Sequence, residues 1–134
     1  MVGVLIFTHG QFADILISTA EEIVGPIENI RAVSVNKEDN LEKIKSVVSK
    51  VMKEVDQGDG VIMLTDMFGG TPSNIGLSFL RQGEVEIITG VNLPILLKLA
   101  RERERKKLPE LVKVLKKKGR DSIVLASETL DVKS

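Results

Sequence analysis

The sequence predicts an α/β protein with a mainly parallel sheet covered by helices on both faces. Short apolar runs alternate with amphipathic helical patterns along the whole chain. The apolar runs lack the polar alternation of a sheet with one solvated face, which is typical of parallel strands buried on both sides. The chain of 134 residues has the size of one domain. We therefore expect a doubly wound, three-layer α/β/α architecture in a single domain, 1–134.

Each element has its own signal in the chain. The predicted strands are residues 2–7, 30–35, 61–65, 85–89 and a short last strand near 123–126. The predicted helices are residues 11–24, 41–55, 71–81, 93–105 and a last helix that Pro109 begins and Gly119 ends. Asp39, with Glu42 three positions later, predicts an acidic capping box for the second helix. Asn92 is placed to cap the fourth helix.

The composition excludes several classes of protein. The chain has no cysteine and one histidine, so it has no disulfide framework, thiolate nucleophile, sulfur-ligated metal or histidine-rich metal site. No tyrosine or tryptophan is present to cover a flavin ring. We expect neither a metal nor a cofactor. The sequence has no basic leader and no apolar run approaching the ~20 residues of a membrane span, so we expect a cytoplasmic protein.

The charges are balanced overall but are unevenly distributed. The chain has 19 basic and 19 acidic residues, yet residues 98–120 contain eleven lysines or arginines and three glutamates. No aromatic residue is interleaved with these cations, which disfavours nucleic-acid binding. We expect the basic residues to lie on the solvated faces of two helices.

Two polar segments follow strands that are predicted to be neighbours. Right-handed crossovers place a crevice at the carboxyl ends of the first and third strands if the first strand pairs with both the second and the third. Thr8-His9-Gly10 follows the first strand, and a segment that begins at Asp66 follows the third. The topology therefore predicts that His9 and Asp66 meet at one edge of the sheet.

These residues suit phosphoryl transfer. A carboxylate that accepts from one ring N–H of a histidine fixes the tautomer and leaves the other nitrogen as a nucleophile. Gly69-Gly70-Thr71-Pro72 begins the third helix, where free backbone N–H groups attract an anion. Thr71 is placed either to cap that helix or to donate its hydroxyl to a phosphate oxygen; Ser73 and Asn74 are weaker candidates. The lysine and spacing of a nucleotide-binding P-loop are absent.

Three segments carry a resemblance to a known family. Phe7–Ala13, Thr65–Asn74 and Gly90–Leu96 resemble, in order and spacing, the signature segments of the mannose-family IIA component of the bacterial phosphoenolpyruvate:sugar phosphotransferase system. The resemblance covers nearly the whole chain. It implies a sheet of order 2-1-3-4 and a homodimer that exchanges the final strand, here near Ile123 to Ala126.

The resemblance also implies an activity, partners and roles for residues. His9 matches the histidine that accepts a phosphoryl group on Nε2 from the phosphocarrier protein HPr, and Asp66 matches the carboxylate that orients it through Nδ1. The group then passes to a IIB component and, with the membrane components IIC and IID, to a sugar that the IIA component never contacts. The positions that match the surroundings of the phosphate are Thr8, Gly10, Gly69, Gly70 and Thr71.

Two departures and two alternatives accompany this interpretation. Some relatives carry IIB on the same chain, whereas this sequence ends at Ser134, so we expect a separate acceptor and no fused IIB domain. Ser73 stands where many relatives have a bulky aromatic residue. One alternative is the related phosphocarrier subunit of dihydroxyacetone kinase, which shares the arrangement around the amino-terminal histidine. The other is a receiver-like signalling domain phosphorylated on Asp66, although acidic metal ligands and a lysine are absent where such a domain needs them.

Overall fold

A four-stranded parallel sheet forms the centre of the molecule. The computed structural model describes residues 1–130. Its strands are β1 (Gly3–His9), β2 (Ile30–Val35), β3 (Val61–Thr65) and β4 (Val85–Thr89). They lie in the order β2-β1-β3-β4, and each neighbouring pair is parallel. This confirms the predicted sheet and the order 2-1-3-4.

Helices cover both faces of the sheet, as predicted. They are α1 (Phe12–Val24), α2 (Leu41–Val55), α3 (Thr71–Leu77), α4 (Leu93–Glu102), α5 (Leu108–Asp121) and α6 (Ala126–Thr129). In β1, Val4 and Ile6 belong to the core formed with α1, α4 and α5, whereas Leu5 and Phe7 belong to the core formed with α2 and α3. Alternate side chains are buried in different cores, and the strand is therefore apolar at every position. No helix within residues 1–130 is both long and apolar enough to span a bilayer.

The predicted fifth strand does not form in the single chain. Residues 123–125 pair with no strand, and the short helix α6 begins at Ala126. The side chains of Ile123, Val124 and Leu125 are exposed. A strand requires a neighbouring backbone to complete its hydrogen bonds, and this segment has none within residues 1–130. The prediction of a strand at 123–126 is therefore wrong for the isolated chain.

The helix α3 is shorter than the sequence predicts. It ends at Leu77 instead of Arg81, because the next amides donate to carbonyls three residues back, in tight turns. The donors are Ser78, Phe79 and Leu80. Helix α4 likewise ends at Glu102, three residues before the predicted end at Arg105.

Two predictions at helix ends, the cap of α2 and the end of α5, were wrong because other residues determine them. At the start of α2, the side chain of Asn40 accepts from the amides of Glu42 and Lys43, so Asn40 and not Asp39 is the cap. Gly119 lies inside α5 and does not end it. A Cβ at Gly119 would lie 2.6 Å from Cδ1 of Ile95, so glycine is needed there for the close approach of α4 and α5. The predicted cap at Asn92 is confirmed, since its side chain accepts from the amide of Ile95.

The buried face of α1 consists mainly of small residues. Its core residues are Ala13, Leu16 and Ala20. Phe12 and Ile15 of the same helix are exposed. Small alanines allow α1 to lie close to the sheet, and the larger apolar side chains beside them remain in solvent near the carboxyl end of β1.

Arg103 binds the backbone at the amino-terminal ends of β1 and β2. Its guanidinium is buried and donates hydrogen bonds to the backbone carbonyls of Val2, Glu28 and Asn29. Burial lowers the pKa of this guanidinium, and Glu28 and Glu104 act in the other direction. Most of the other basic residues of 98–120 are exposed or half-buried on α4 and α5.

Candidate functional site

His9 and Asp66 meet at the carboxyl edge of the sheet. His9 is the last residue of β1, and Asp66 directly follows β3. The parallel register of these strands pairs Phe7 with Thr65, so the two chains leave the sheet side by side. The structure thus brings together the two side chains that the topology alone had predicted to meet.

The carboxylate of Asp66 holds His9 at both its ring and its backbone. Oδ2 of Asp66 lies 2.7 Å from Nδ1 of His9 and accepts a hydrogen bond from the His9 amide at 3.0 Å. Oδ1 accepts from the amide of Met67 at 3.0 Å. With the carboxylate accepting at Nδ1, the neutral ring has its proton on Nδ1 and a free electron pair on Nε2.

The environment of Asp66 keeps it ionised. Burial of the carboxyl group raises its pKa, but the hydrogen bonds from the His9 ring and amide outweigh burial, and the resulting pKa lies below the ordinary value of 3.8. The side chain of Asp66 is 15% exposed, whereas that of His9 is 49% exposed. A buried, anionic carboxylate therefore supports an imidazole that remains accessible to other molecules.

The glycine loop lies against the outer edge of the imidazole. A Cβ built on Gly70 would lie 2.8 Å from Cε1 and 3.3 Å from Nε2 of His9. Gly70 is also the cap residue of α3, so Thr71 is the first helical residue and does not cap the helix. Within residues 1–130, no acceptor receives a hydrogen bond from the backbone amides of Gly69, Gly70 or Thr71. The loop that lies against the imidazole therefore has three backbone donors without a partner in this part of the chain.

Other predicted site residues have structural partners. Thr8 is buried, and its hydroxyl accepts from the amide of Ala13, which fixes the start of α1. The amide of Gly10 donates to the carbonyl of Val35. Contact of Thr8 and Gly10 with a phosphoryl group remains a prediction. Among the weaker candidates, Ser73 is buried with a hydroxyl that has no partner within residues 1–130, and Asn74 is exposed.

Two features of the site have no signal in the sequence. The amide of Met67 fixes Asp66, but a backbone donor leaves no trace in residue type. The contact between Gly70 and the His9 ring depends on the path of the loop. The Gly-Gly pair predicted free amides for an anion and gave no indication of a contact with the imidazole.

The site lies on an open surface with an apolar border. Phe12 lies at the start of α1, and Met67 and Phe68 directly follow Asp66; all three side chains are exposed. Phe68 is 72% exposed. A cleft of about 910 Å³ lies at the opposite end of the sheet, where Met1, Asp59 and Leu108 contribute to its lining. The imidazole is therefore presented on a surface suited to contact with another protein.

Comparisons with known proteins give a consistent result. Residues 3–116 match the family model EIIA-man, described as the PTS system fructose IIA component. The PTS system fructose-specific EIIA component of Bacillus subtilis (strain 168) is 33% identical over 132 residues, which cover 98% of this chain and 90% of that protein. The PTS system mannose-specific EIIAB component of Escherichia coli (strain K12) is 30% identical over 124 residues, 91% of this chain and 38% of that protein.

A solved structure extends the agreement to the fold. The PTS IIA protein associated with the fucose utilization operon of Streptococcus pneumoniae superposes with a TM-score of 0.85 at 30% identity, and the match covers 97% of this chain and 99% of that one. These matches confirm the resemblance carried by the three sequence segments, and they favour neither the dihydroxyacetone kinase subunit nor the receiver domain. The chain belongs to the EIIA-man family and is a IIA component of the phosphotransferase system, a class of phosphotransferases.

Proposed function

We propose that the chain carries a phosphoryl group on Nε2 of His9, between the phosphocarrier HPr and a IIB component. The electron pair of Nε2 attacks phosphorus while the bond from phosphorus to the donor's histidine nitrogen breaks, and that electron pair stays on the donor. The His9 ring keeps its proton on Nδ1 and gains positive charge, which Asp66 stabilises. Transfer to the IIB component is the same exchange with the IIA component as donor.

The observation that carries this proposal is the hydrogen bond of 2.7 Å between Nδ1 of His9 and Oδ2 of Asp66. It leaves Nε2 unprotonated in the neutral ring, and Nε2 has no hydrogen-bond partner within residues 1–130. Phosphoryl transfer between histidines requires in-line approach and charge stabilisation more than difficult bond chemistry. The half-exposed imidazole allows in-line approach of the donor, and Asp66 stabilises the charge on the ring.

We assign the surroundings of the phosphoryl group to the loop before α3. The amides of Gly69, Gly70 and Thr71 and the Thr71 hydroxyl make no hydrogen bond within residues 1–130, and Gly70 lies against the imidazole. Donors of this kind stabilise the charge of the phosphoryl oxygens during transfer. We also place Thr8 and Gly10, which flank His9 in the chain, beside the phosphoryl group.

The apolar border supports the assignment of protein partners. Phe12, Met67 and Phe68 are exposed apolar residues that lie close in the chain to His9 or Asp66, and the imidazole is half exposed. A protein surface laid over them would exclude water from the transfer. The relative from Escherichia coli is named an EIIAB component, a name that combines the A and B components. HPr as donor and a IIB component as acceptor fit a cytoplasmic carrier, with association to the membrane only through transporter partners.

We also propose that the chain forms a homodimer through its carboxyl-terminal segment. Within residues 1–130, β4 is an edge strand whose outer side is paired only at Val85, which forms a bridge with Arg81. Residues 123–125 are apolar and exposed. Their pairing with the sheet of a second copy would cover both the open edge and the apolar side chains.

Mapping of the phosphorylated residue tests the carrier function. Incubation with phosphoenolpyruvate, enzyme I and HPr should place one phosphoryl group on His9, and the label should survive alkali and be lost in acid, as a phosphohistidine is. His9→Ala should take up no label. Label on Asp66, which alkali removes, or its absence from His9 would contradict the proposal.

A further inference from the structure

We propose that Gly70 is a positioning residue for His9: the absence of a side chain at Gly70 is what allows the imidazole to keep its hydrogen bond to Asp66 with Nε2 exposed. This inference rests on the proposed function, and it assigns to Gly70 a role in placing the nucleophile that is separate from any contact of its amide with a phosphoryl group.

The contact is with the edge of the ring that reacts. A Cβ on Gly70 would lie 2.8 Å from Cε1 and 3.3 Å from Nε2, and Cβ atoms essentially never lie within 3.0 Å of another heavy atom. Cε1 lies between the two ring nitrogens. Any side chain at position 70 would therefore press on the atom that joins the hydrogen-bonded nitrogen to the nucleophilic one.

Neither partner of this contact is free to retreat. The ring of His9 is held at Nδ1, 2.7 Å from Asp66, and the backbone of His9 is tied to the same carboxylate. The carbonyl of Gly70 accepts from the amide of Asn74 at 2.9 Å, which ties the loop to the first turn of α3. Met67 fills the neighbouring space, with Cγ in ordinary van der Waals contact at 3.6 Å from the Cβ position. The imidazole would have to rotate, and rotation lengthens the bond to Asp66.

Backbone strain does not explain the glycine. Gly70 has φ −89° and ψ 177°, an extended conformation that alanine adopts freely. Gly70→Ala is therefore a steric probe of the ring. Gly76→Ala is a matched control in α3, because its Cβ would lie 2.7 Å from Sδ of Met63, a core side chain remote from the imidazole. Both variants crowd the same element, but only one crowds His9.

The test combines NMR with phosphorylation by a small donor. His9 is the only histidine, so the ring gives one pair of ¹⁵N signals at a fixed pH. Phosphoramidate, as a small phosphoryl donor, removes partner docking from the rate. For Gly70→Ala we expect ring signals shifted away from the tautomer protonated at Nδ1 and a rate about 100-fold lower. For Gly76→Ala we expect the ring signals and rate of the original protein.

The other results overturn the proposal. If the ring signals of Gly70→Ala are unchanged, Gly70 does not position the imidazole, whatever the rate of phosphorylation. A slow rate would then mean that Gly70 acts only on the phosphoryl group. Shifted ring signals with an unchanged rate of phosphorylation would also overturn it, and so would an equal loss of rate in Gly76→Ala. A Gly70→Ala protein that fails to fold would likewise overturn it. Failure of HPr to label His9 would contradict the proposed function instead, because the ring signals decide the position of the imidazole without HPr.

Discussion

The carboxylate of Asp66 makes three hydrogen bonds, two with His9 and one with the amide of Met67. The amides of His9 and Met67 fix the carboxylate, and the carboxylate fixes the ring at Nδ1. The same group is therefore both a structural support and a negative charge beside the nucleophile. Asparagine keeps the shape of this side chain but removes the charge and one of the two acceptor oxygens.

Asp66→Asn should slow phosphorylation of His9 without unfolding the protein. The amide retains an oxygen that accepts from Nδ1, but the hydrogen bond to a charged acceptor is lost, which costs about 1.5–3 kcal/mol. We expect a rate roughly 10- to 100-fold lower, measured by incorporation of label from phospho-HPr. Thermal unfolding of the same sample supplies the control, and a variant labelled at the original rate would remove Asp66 from the mechanism.

The pKa of Asp66 predicts how stability depends on pH. The carboxyl pKa is lower in the folded chain than its ordinary value of 3.8, so ionised Asp66 stabilises the fold above that value. This contribution is lost as the pH falls below 3.8 and through the folded pKa. The free energy of unfolding should fall less steeply with decreasing pH in Asp66→Asn than in the original protein, as urea titrations at several acidic pH values would measure. Equal slopes would contradict the prediction.

At the scale of elements, the start of α2 shows which of two neighbouring polar residues, Asp39 or Asn40, caps the helix. The side chain of Asn40 accepts from the amides of Glu42 and Lys43, whereas Asp39 accepts from the amide of Asn36 and lies outside the cap. Asn40→Ala should lower the free energy of unfolding by about 1 kcal/mol, the ordinary cost of a lost cap. Glu42→Ala is the control, with a change within about 0.5 kcal/mol, because its side chain takes no part in a capping box. Equal losses in the two variants would restore the capping box.

The loop between β3 and α3 carries the prediction for partner docking. Phe68 is 72% exposed beside the site, and Ile23, at the far end of α1, is 58% exposed. Phe68→Ser should raise the KM for phospho-HPr several-fold, because it removes apolar area that the partner would cover. Ile23→Ser removes a similar exposed side chain about 16 Å further along the helix axis from Phe12 and should leave the KM unchanged. Equal effects would place docking elsewhere.

The elements differ in how far the sequence determines them. All four strands of the sheet were predicted nearly to the residue. The central strands β1 and β3 are buried on both faces and are therefore almost continuously apolar. The edge strands β2 and β4 are less buried and include Arg31 and Glu86, but apolar residues still predominate in them. Helix ends were predicted less well, since they depend on contacts between distant residues. Gly119 has the residue type of a helix end, yet its position is decided by Ile95 of α4.

The features of the site also differ in how far the sequence predicts them. His9 and Asp66 could be predicted because they follow adjacent parallel strands and have side chains with reactive chemistry. The amide of Met67 and the approach of Gly70 to the imidazole could not be predicted, since both depend on the path of a loop.

At the scale of the whole molecule, the carboxyl-terminal segment is the part that the single chain leaves incomplete. The strand predicted near 123–126 is absent, and no side chain of residues 123–130 is buried. Within residues 1–130, the outer edge of β4 is paired only at Val85, which forms a bridge with Arg81. The apolar pattern that predicted a strand and the exposure seen in the structure are reconciled if the segment pairs with a second copy. The sequence then specifies an element that only the dimer completes.

Truncation tests this interpretation. A chain that ends at Ser122 should fold, because it keeps all of the residues in both cores, and light scattering should give the mass of a monomer. A chain that ends at Leu130 keeps Ile123, Val124 and Leu125 and should remain a dimer, as should the full chain, because these side chains supply the apolar area that the second copy covers. A dimeric chain ending at Ser122, or a monomeric full chain at micromolar concentration, would exclude this segment as the contact between subunits.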